Sequence, residues 1–77
     1  MTIAERLTEV FQIVFNDDGI ELRDEMTAHD IPHWDSLANI NLMFSVEQEF
    51  GVRFRDDQFA SFADVGELRR FLESRAA

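Results

Sequence analysis

His33, Asp35 and Ser36 lie almost side by side in the stretch HWDS, and serine, histidine and aspartate are the residue types of a hydrolase triad. A triad needs a nucleophile, a base and an orienting carboxylate in one chain of hydrogen bonds, which near-adjacent residues cannot usually form. A chain of 77 residues also leaves little room for a substrate pocket and an oxyanion hole. We therefore expect no catalytic residues and no enzyme activity.

His29 and His33 have the four-residue spacing at which two histidines on a helix can bind zinc. Pro32 lies between them and disfavours a regular helix there, and the chain has no cysteine and no third histidine. The acidic run NDDG is similar to part of a calcium-binding loop, but Val14 stands where an EF-hand needs its first carboxylate, five residues before Gly19. We expect no metal site.

Ser36 has a second chemical context, because a helix is predicted to begin beside it and to run over Ser36–Phe50. Asp35 or Ser36 can cap this helix, and Gly51 is placed to end it. A helix N-terminus has unpaired backbone N–H groups and a partial positive charge, so a phosphate attached to a side chain there is favoured. The alternative is that the serine or the aspartate has only a capping role.

The predicted second helix is apolar around more of its circumference than burial on one side requires. At about 100° per residue, one apolar set spans an arc wide enough to face a core. Its members are Leu42, Met43, Val46 and Phe50. Leu37, Ile40 and Phe44 form a second set, the apolar ridge, with Glu47 between the two sets. Either the preceding loop covers this ridge, or the ridge is partly exposed for a partner protein.

Three further helical segments accompany this helix. Helical periodicity and a T-x-x-E capping box predict a first helix over Ile3–Phe15. A connection over residues 16–34 has scattered apolar anchors and is expected to pack over the core. A short helix is predicted near residues 57–60, and the last helix begins near Asp64. The predicted fold is all-α: a small four-helix bundle with a long loop between helices 1 and 2 and a short third helix, in one domain over residues 1–77.

Charge and hydropathy limit the classes of partner and location. Sixteen acidic and seven basic residues give a net charge of −9, which repels nucleic acid and anionic lipid and favours partners with basic patches. No apolar run reaches the roughly 18 residues of a membrane span, and MTIAERLTEVF has charges where a signal peptide needs an apolar core. We expect a cytoplasmic monomer that binds no nucleic acid and does not span a membrane.

Two short motifs stand at the ends of the predicted second helix: DSL at residues 35–37 and SVEQEFGV at residues 45–52. With the acidic balance, the chain length and the long approach to the serine, they resemble acyl carrier proteins, the small four-helix carriers of fatty acid, polyketide and related pathways. The resemblance covers nearly the whole chain. It implies that Ser36 carries a covalent 4′-phosphopantetheine arm from coenzyme A. The arm would bring a thiol, which the chain lacks because it has no cysteine.

The same resemblance implies roles for the residues around the serine. Asp35 would help to engage the phosphopantetheinyl transferase and its magnesium ion. Leu37, Ile40, Phe44 and Glu47 match positions that family members use to dock on basic patches of partner enzymes. This implication favours the exposed form of the apolar ridge over the covered one.

The implied function is a discrete acyl carrier protein that holds acyl groups as thioesters and moves them between enzymes. Its partners would be a phosphopantetheinyl transferase, an acyl- or aminoacyl-loading ligase, and acyltransferase or synthase enzymes with basic patches. Trp34, Ala38 and Asn41 differ from the residues usual in carriers of routine fatty acid synthesis, which favours a specialised fatty acid, polyketide or lipid pathway. Two alternatives stay open: an aminoacyl or peptidyl carrier of the same fold, and a helical protein–protein adaptor without a prosthetic group.

Charge repulsion is expected to limit the stability of this small acidic chain. Added salt or magnesium should raise the midpoint of thermal unfolding, because counterions screen the repulsion that a net charge of −9 creates. Circular dichroism melts at low and moderate ionic strength measure this effect. A midpoint that stays constant or falls as salt is added would contradict the prediction.

Overall fold

The computed structural model describes residues 2–55 and 57–75 of the chain. Over these residues it contains three α-helices, one 3₁₀ turn and no β-strand. In chain order the elements are α1 (Ile3–Phe15), α2 (Ser36–Phe50), the 3₁₀ turn (Phe59–Ser61) and α3 (Val65–Arg75). The all-α prediction is confirmed, and the first two helices have the bounds that the sequence predicts.

The short third helix differs from its prediction near residues 57–60. It is a single 3₁₀ turn over Phe59–Ser61, which starts slightly later than predicted. It ends there because Phe62 leaves the helical conformation at φ −69° and ψ 127°. The extended backbone places the Phe62 ring against those of Phe54, Phe59 and Phe71, at centroid distances of 6.1, 6.2 and 5.6 Å. Aromatic packing therefore ends the turn, and the α-helices of the described residues number three rather than four.

α1 begins at the capping box that the sequence predicts. The Thr2 hydroxyl accepts a hydrogen bond from the Glu5 N–H at 3.1 Å, and the Glu5 carboxylate accepts one from the Thr2 N–H at 3.0 Å. The backbone hydrogen bond from Thr2 favours the charged carboxylate and lowers the pKa of Glu5. The helix then buries Leu7, Val10 and Phe11 on one face.

Contacts at the two ends of α1 show that it runs antiparallel to α2. Near the start of α1, the Arg6 guanidinium lies 3.1 Å from the Glu49 carboxylate in the last turn of α2. Further along α1, the Phe11 ring packs edge-on against Trp34, just before α2, with centroids 5.4 Å apart. The loop between these helices must therefore return the chain to the end at which α1 stops.

The connection between α1 and α2 is a succession of hydrogen-bonded turns rather than an irregular coil. In each turn a backbone N–H donates to the carbonyl three residues earlier, at 3.0–3.4 Å. The pairs are Ile20 with Asp17, Met26 with Arg23, Asp30 with Thr27, and Trp34 with Ile31. Ile20, Met26 and Ile31 are buried in the core, so the prediction that this loop packs over the core is confirmed.

The loop also completes the N-terminus of α3. The N–H groups of Val65 and Gly66 donate to the carbonyl oxygens of Met26 and Asp24, each at 2.9 Å. The first N–H groups of a helix have no acceptor within the helix, so the loop supplies hydrogen-bond acceptors for the first N–H groups of α3. Because the same loop leads directly into α2, α3 begins at the end of the bundle where α2 begins.

Arg69 adds a charged contact between α3 and the loop. Its guanidinium donates to both carboxylate oxygens of Asp24, at 2.9 and 2.8 Å, and to the Glu73 carboxylate at 2.8 Å. These hydrogen bonds lower the pKa of Asp24. The contact therefore stabilises the fold above the unfolded pKa of the carboxyl group and is lost as the pH falls through the lower folded value.

The core is made of apolar side chains from every described element. Its buried members are Leu7, Val10, Phe11, Ile20, Met26, Ile31, Leu42, Val46, Phe59, Val65, Leu68 and Leu72. In the part of the chain that the structure describes, no helix combines the length and apolar character needed to cross a membrane.

Loop and helix approach closely at Gly66, and replacing this glycine with alanine should destabilise the fold. A Cβ at residue 66 would lie 2.9 Å from Asp24 Cβ and 3.1 Å from the Asp24 carbonyl oxygen. Although alanine favours a helix by about 1 kcal/mol over glycine, we expect Gly66→Ala to lower the free energy of unfolding by about 1–3 kcal/mol.

Urea unfolding measures the effect, and Gly19→Ala is the matched control. A Cβ at residue 19 would meet only the flexible Asp17 carboxylate, at 3.2 Å. This control should stay within about 0.5 kcal/mol of the original protein. A Gly66→Ala variant that is as stable as the control would show that the loop does not lie against α3 as described.

Candidate functional site

Asp35, not Ser36, is the capping residue of α2. It has extended backbone angles (φ −107°, ψ −170°), and its Oδ1 accepts a hydrogen bond from the Ala38 N–H at 2.9 Å. Its carbonyl oxygen accepts the first hydrogen bond of the helix, from the Asn39 N–H, also at 2.9 Å. The two capping alternatives that the sequence left open are thereby resolved, and the serine hydroxyl has no capping role.

Ser36 is the first residue of α2, and its side chain is exposed. Its hydroxyl forms no hydrogen bond with any residue that the structure describes. In the same part of the chain, the backbone N–H groups of Ser36 and Leu37 also have no acceptor. This position combines a free hydroxyl with unpaired N–H groups and the positive end of the helix dipole, which suits a phosphate ester.

A tight turn brings the chain to Asp35. The Trp34 N–H donates to the Ile31 carbonyl, with Pro32 and His33 as the two central residues. His33 has a φ of +69°, and proline followed by a residue with positive φ is the pattern of a type II turn. His33 is therefore a turn residue, and the described residues contain no group of three acidic or histidine side chains placed to hold a metal.

Trp34 fixes the point where this turn meets α2. Its indole N–H donates to Asn39 Oδ1 at 3.0 Å, and its ring packs against Phe11 and Phe15 of α1, with centroids 5.4 and 5.8 Å away. Sequence reasoning did not predict the pairing of Trp34 with Asn39. The available signal was that Asn39 falls in the core-facing arc of α2, where a polar side chain needs a partner.

The apolar ridge lies open to solvent. Leu37, Ile40 and Phe44 are 68%, 47% and 55% exposed. The opposite side of α2 buries Leu42 and Val46 in the core. The expectation of an exposed ridge is therefore confirmed, and the covered alternative is wrong. The ridge begins one residue after Ser36 and runs along the first three turns of the helix.

Glu47 is placed differently from the other residues predicted to contact partners. It is partly buried, and its Oε2 accepts a hydrogen bond from the Phe54 N–H at 2.8 Å. The carboxylate thus holds the chain that leaves α2 after Gly51, which has the left-handed conformation (φ 67°) expected at the end of a helix. One of its two oxygens therefore has a structural role.

A groove of about 570 Å³ lies beside Ser36, between the loop, the start of α2 and the start of α3. Apolar side chains of Trp34, Phe59, Phe62 and Leu68 form part of its wall. The sequence did not predict this groove, because it is assembled from segments that are distant in the chain. Its lining comprises residues 27–29, 34–36, 39, 59–60, 62–65 and 68.

Comparison with known proteins found relatives that are similar over most of the chain. Acyl carrier proteins of Sinorhizobium fredii and of Rhizobium meliloti are each 31% identical over 75 residues, which are 97% of this chain and 96% of theirs. An acyl carrier protein of Rhodopseudomonas palustris is 34% identical over 59 residues, 77% of this chain and 67% of its own. The chain belongs to the acyl carrier protein family. No family model and no solved structure matches it.

Membership confirms the resemblance seen in the two motifs around α2 and supports a carrier role for this acyl carrier protein. Members of the family are carriers and not enzymes, in agreement with the predicted lack of catalytic residues. The family generally carries a phosphopantetheine group.

The turn at His33 gives a test of how the approach to Ser36 is built. A β-branched side chain is disfavoured at positive φ, so His33→Val should lower the free energy of unfolding by about 1–2 kcal/mol. Glycine adopts this conformation without strain, and His33→Gly should stay within about 0.5 kcal/mol of the original protein. Urea unfolding of both variants measures the difference. Equal losses for valine and glycine would indicate that the histidine side chain, and not the turn, matters for stability.

Proposed function

We propose that this acyl carrier protein holds acyl groups as thioesters on a 4′-phosphopantetheine arm attached to Ser36 Oγ. The observation that carries the proposal is that the capping residue of α2 is Asp35 and not Ser36. Asp35 caps the helix, which leaves the Ser36 hydroxyl exposed and without a partner among the described residues. A serine needed for capping would have to give up that hydrogen bond on modification, whereas Ser36 gives up none.

The residues around Ser36 are compatible with the group. Its phosphate would be attached to Oγ, where the N–H groups of Ser36 and Leu37 and the helix dipole favour negative charge. When bound, the group supplies the thiol for thioester formation, which the chain lacks because it has no cysteine. The groove beside Ser36 is lined in part by Trp34, Phe59 and Phe62, which offer apolar contacts to a group that enters it.

Asp35 has a second role in this proposal. Its Oδ1 is engaged by the Ala38 N–H, while Oδ2 has no partner among the residues that the structure describes. The free oxygen is next to the residue to be modified and is available to a transferase and its magnesium ion. Through Oδ1, Asp35 would fix the start of the helix that carries the serine. Through Oδ2, it would help to recruit the transferase.

The partners proposed for this carrier are a phosphopantetheinyl transferase, an acyl-loading ligase, and acyltransferase or synthase enzymes. They would contact the apolar ridge, which lies beside Ser36 and is 47–68% exposed. Trp34, Ala38 and Asn41, which are unusual in carriers of routine fatty acid synthesis, support a specialised fatty acid, polyketide or lipid pathway.

Mass spectrometry of the intact protein tests the attachment site. Incubation with coenzyme A and a broad-specificity phosphopantetheinyl transferase should add the mass of one phosphopantetheine to the original protein. Ser36→Ala should remove the addition completely, because no other residue provides the free hydroxyl at the start of α2. Ser45→Ala, a change of the same type on the same helix, should leave it intact.

Two outcomes would contradict this function. Modification of Ser36→Ala would show that the arm is attached elsewhere. An unmodified original protein, beside a control carrier that the same transferase does modify, would instead favour a helical adaptor without a prosthetic group.

A further inference from the structure

The part of α2 that carries the apolar ridge has no charged residue. From Ser36 to Val46 the sequence SLANINLMFSV contains no acidic, basic or histidine side chain. The rest of the protein is rich in charge, since the whole chain has 16 acidic and seven basic residues. The lack of charge is thus confined to three successive turns of the helix next to Ser36.

The charges that border this segment are engaged in contacts within the fold. Asp35 caps the helix through Oδ1, and Glu47 accepts the Phe54 N–H at 2.8 Å. Glu49 pairs with Arg6, whose guanidinium lies 3.1 Å from its carboxylate. Asp35 and Glu47 each have one oxygen engaged within the fold, and they lie at the margins of the exposed face, Asp35 before the helix and Glu47 about 20° from Ile40 around it.

Polar but uncharged residues lie along one side of the ridge. At about 100° per residue, Asn41 and Gln48 lie within roughly 60° of Leu37 and Phe44 on the helix surface, and both are exposed. The outward face of α2 therefore has an apolar centre and one edge that carries amides, while the half-buried Glu47 lies at the other edge. This is the pattern of an interface core with a polar rim.

A basic patch is a poor match for such a face. Lysine and arginine side chains pressed against the segment from Ser36 to Val46 would lose water without gaining a carboxylate partner from that segment, which is unfavourable. An apolar groove would instead remove the three ridge side chains from water at no electrostatic cost. Charge complementarity therefore favours an uncharged partner surface over the basic patch expected from the overall acidity.

We propose that the enzymes that act on this carrier bind the outward face of α2 in an uncharged apolar groove, which takes up Leu37, Ile40 and Phe44. The proposal rests on the proposed function, since it concerns the partners that reach Ser36. Long-range attraction between the acidic carrier and a basic enzyme can still speed their encounter. The contact on α2 itself is apolar.

A second copy of the chain is a weaker candidate for the same face. Two copies, each with a net charge of −9, repel one another. A stable dimer buries roughly 1,200–2,000 Å² in total, and a ridge of three side chains is a small part of such an area. An enzyme that acts on Ser36 must also contact the residues around it, which adds to the area buried on the ridge.

The sign of the effect of an added negative charge distinguishes the two kinds of partner surface. The probe is the phosphopantetheinyl transferase of the same genome with the highest kcat/KM on the original protein. We expect the double variant Asn41→Asp/Gln48→Glu to lower that kcat/KM by about fivefold or more, because the new carboxylates meet an uncharged surface. Ala4→Glu adds a charge in the exposed first turn of α1 and should stay within about twofold.

Removal of apolar contact area is the second arm of the experiment. Ile40→Ser and Phe44→Ala should each lower kcat/KM by about tenfold or more, as expected for anchors at the centre of an interface. The matched control is Ile13→Ser, because Ile13 is the one other large apolar side chain of the described residues that is similarly exposed, at 79%. It lies on α1 and should have no effect beyond about twofold. Circular dichroism verifies that all variants stay helical.

Several results would overturn the inference. A double variant that reacts as fast as the original protein or faster would indicate a basic docking patch, as would ridge variants that keep their full rate. A concentration-dependent dimer that Ile40→Ser dissociates would assign the face to a second copy. These outcomes are distinct from failure of the proposed function, in which the broad-specificity transferase would not modify the original protein at all.

Discussion

Two hydrogen bonds between the long loop and α3 are the constraint on which the other parts of the structure depend. The N–H groups of Val65 and Gly66 need acceptors because they begin a helix, and the carbonyls of Met26 and Asp24 provide them. Ordering the backbone of a loop costs about 1–2 kcal/mol per residue, so such a long connection needs fixed points. The loop provides the acceptors that the helix needs, and the helix provides the fixed points that the loop needs. Gly66 allows the close approach because it has no side chain.

The position of Ser36 follows from that constraint. Once the loop is held against α3, its last turn brings Trp34 onto α1 and next to Asn39. Asp35 then begins α2 as its cap, and Ser36 is left exposed at the helix end with its hydroxyl free. The same packing buries one side of α2 and leaves the uncharged ridge on the other. The proposed attachment point and the proposed docking face are therefore adjacent, because one helix carries both.

Much of the fold could be predicted from the sequence. The bounds of α1 and α2, the capping pair Thr2 and Glu5, and the stop at Gly51 all depend on residues within a few positions of each other, and the structure confirms them. The motif at Ser36 and the ridge beside it were also visible in the sequence. The short third helix was predicted less well, because its end is set by the ring of Phe62, which packs against distant aromatic residues.

The sequence by itself thus determined where the first two helices begin and end, and that a serine stands at the start of the second one. Only the tertiary structure decided that the ridge is left exposed, and that the N–H groups of Val65 and Gly66 find their acceptors in the loop. It also assembled the groove beside Ser36 from three separate segments. The reason is physical: caps and helical periodicity act over one or two turns, whereas exposure and the choice of hydrogen-bond partner depend on contacts between residues far apart in the chain.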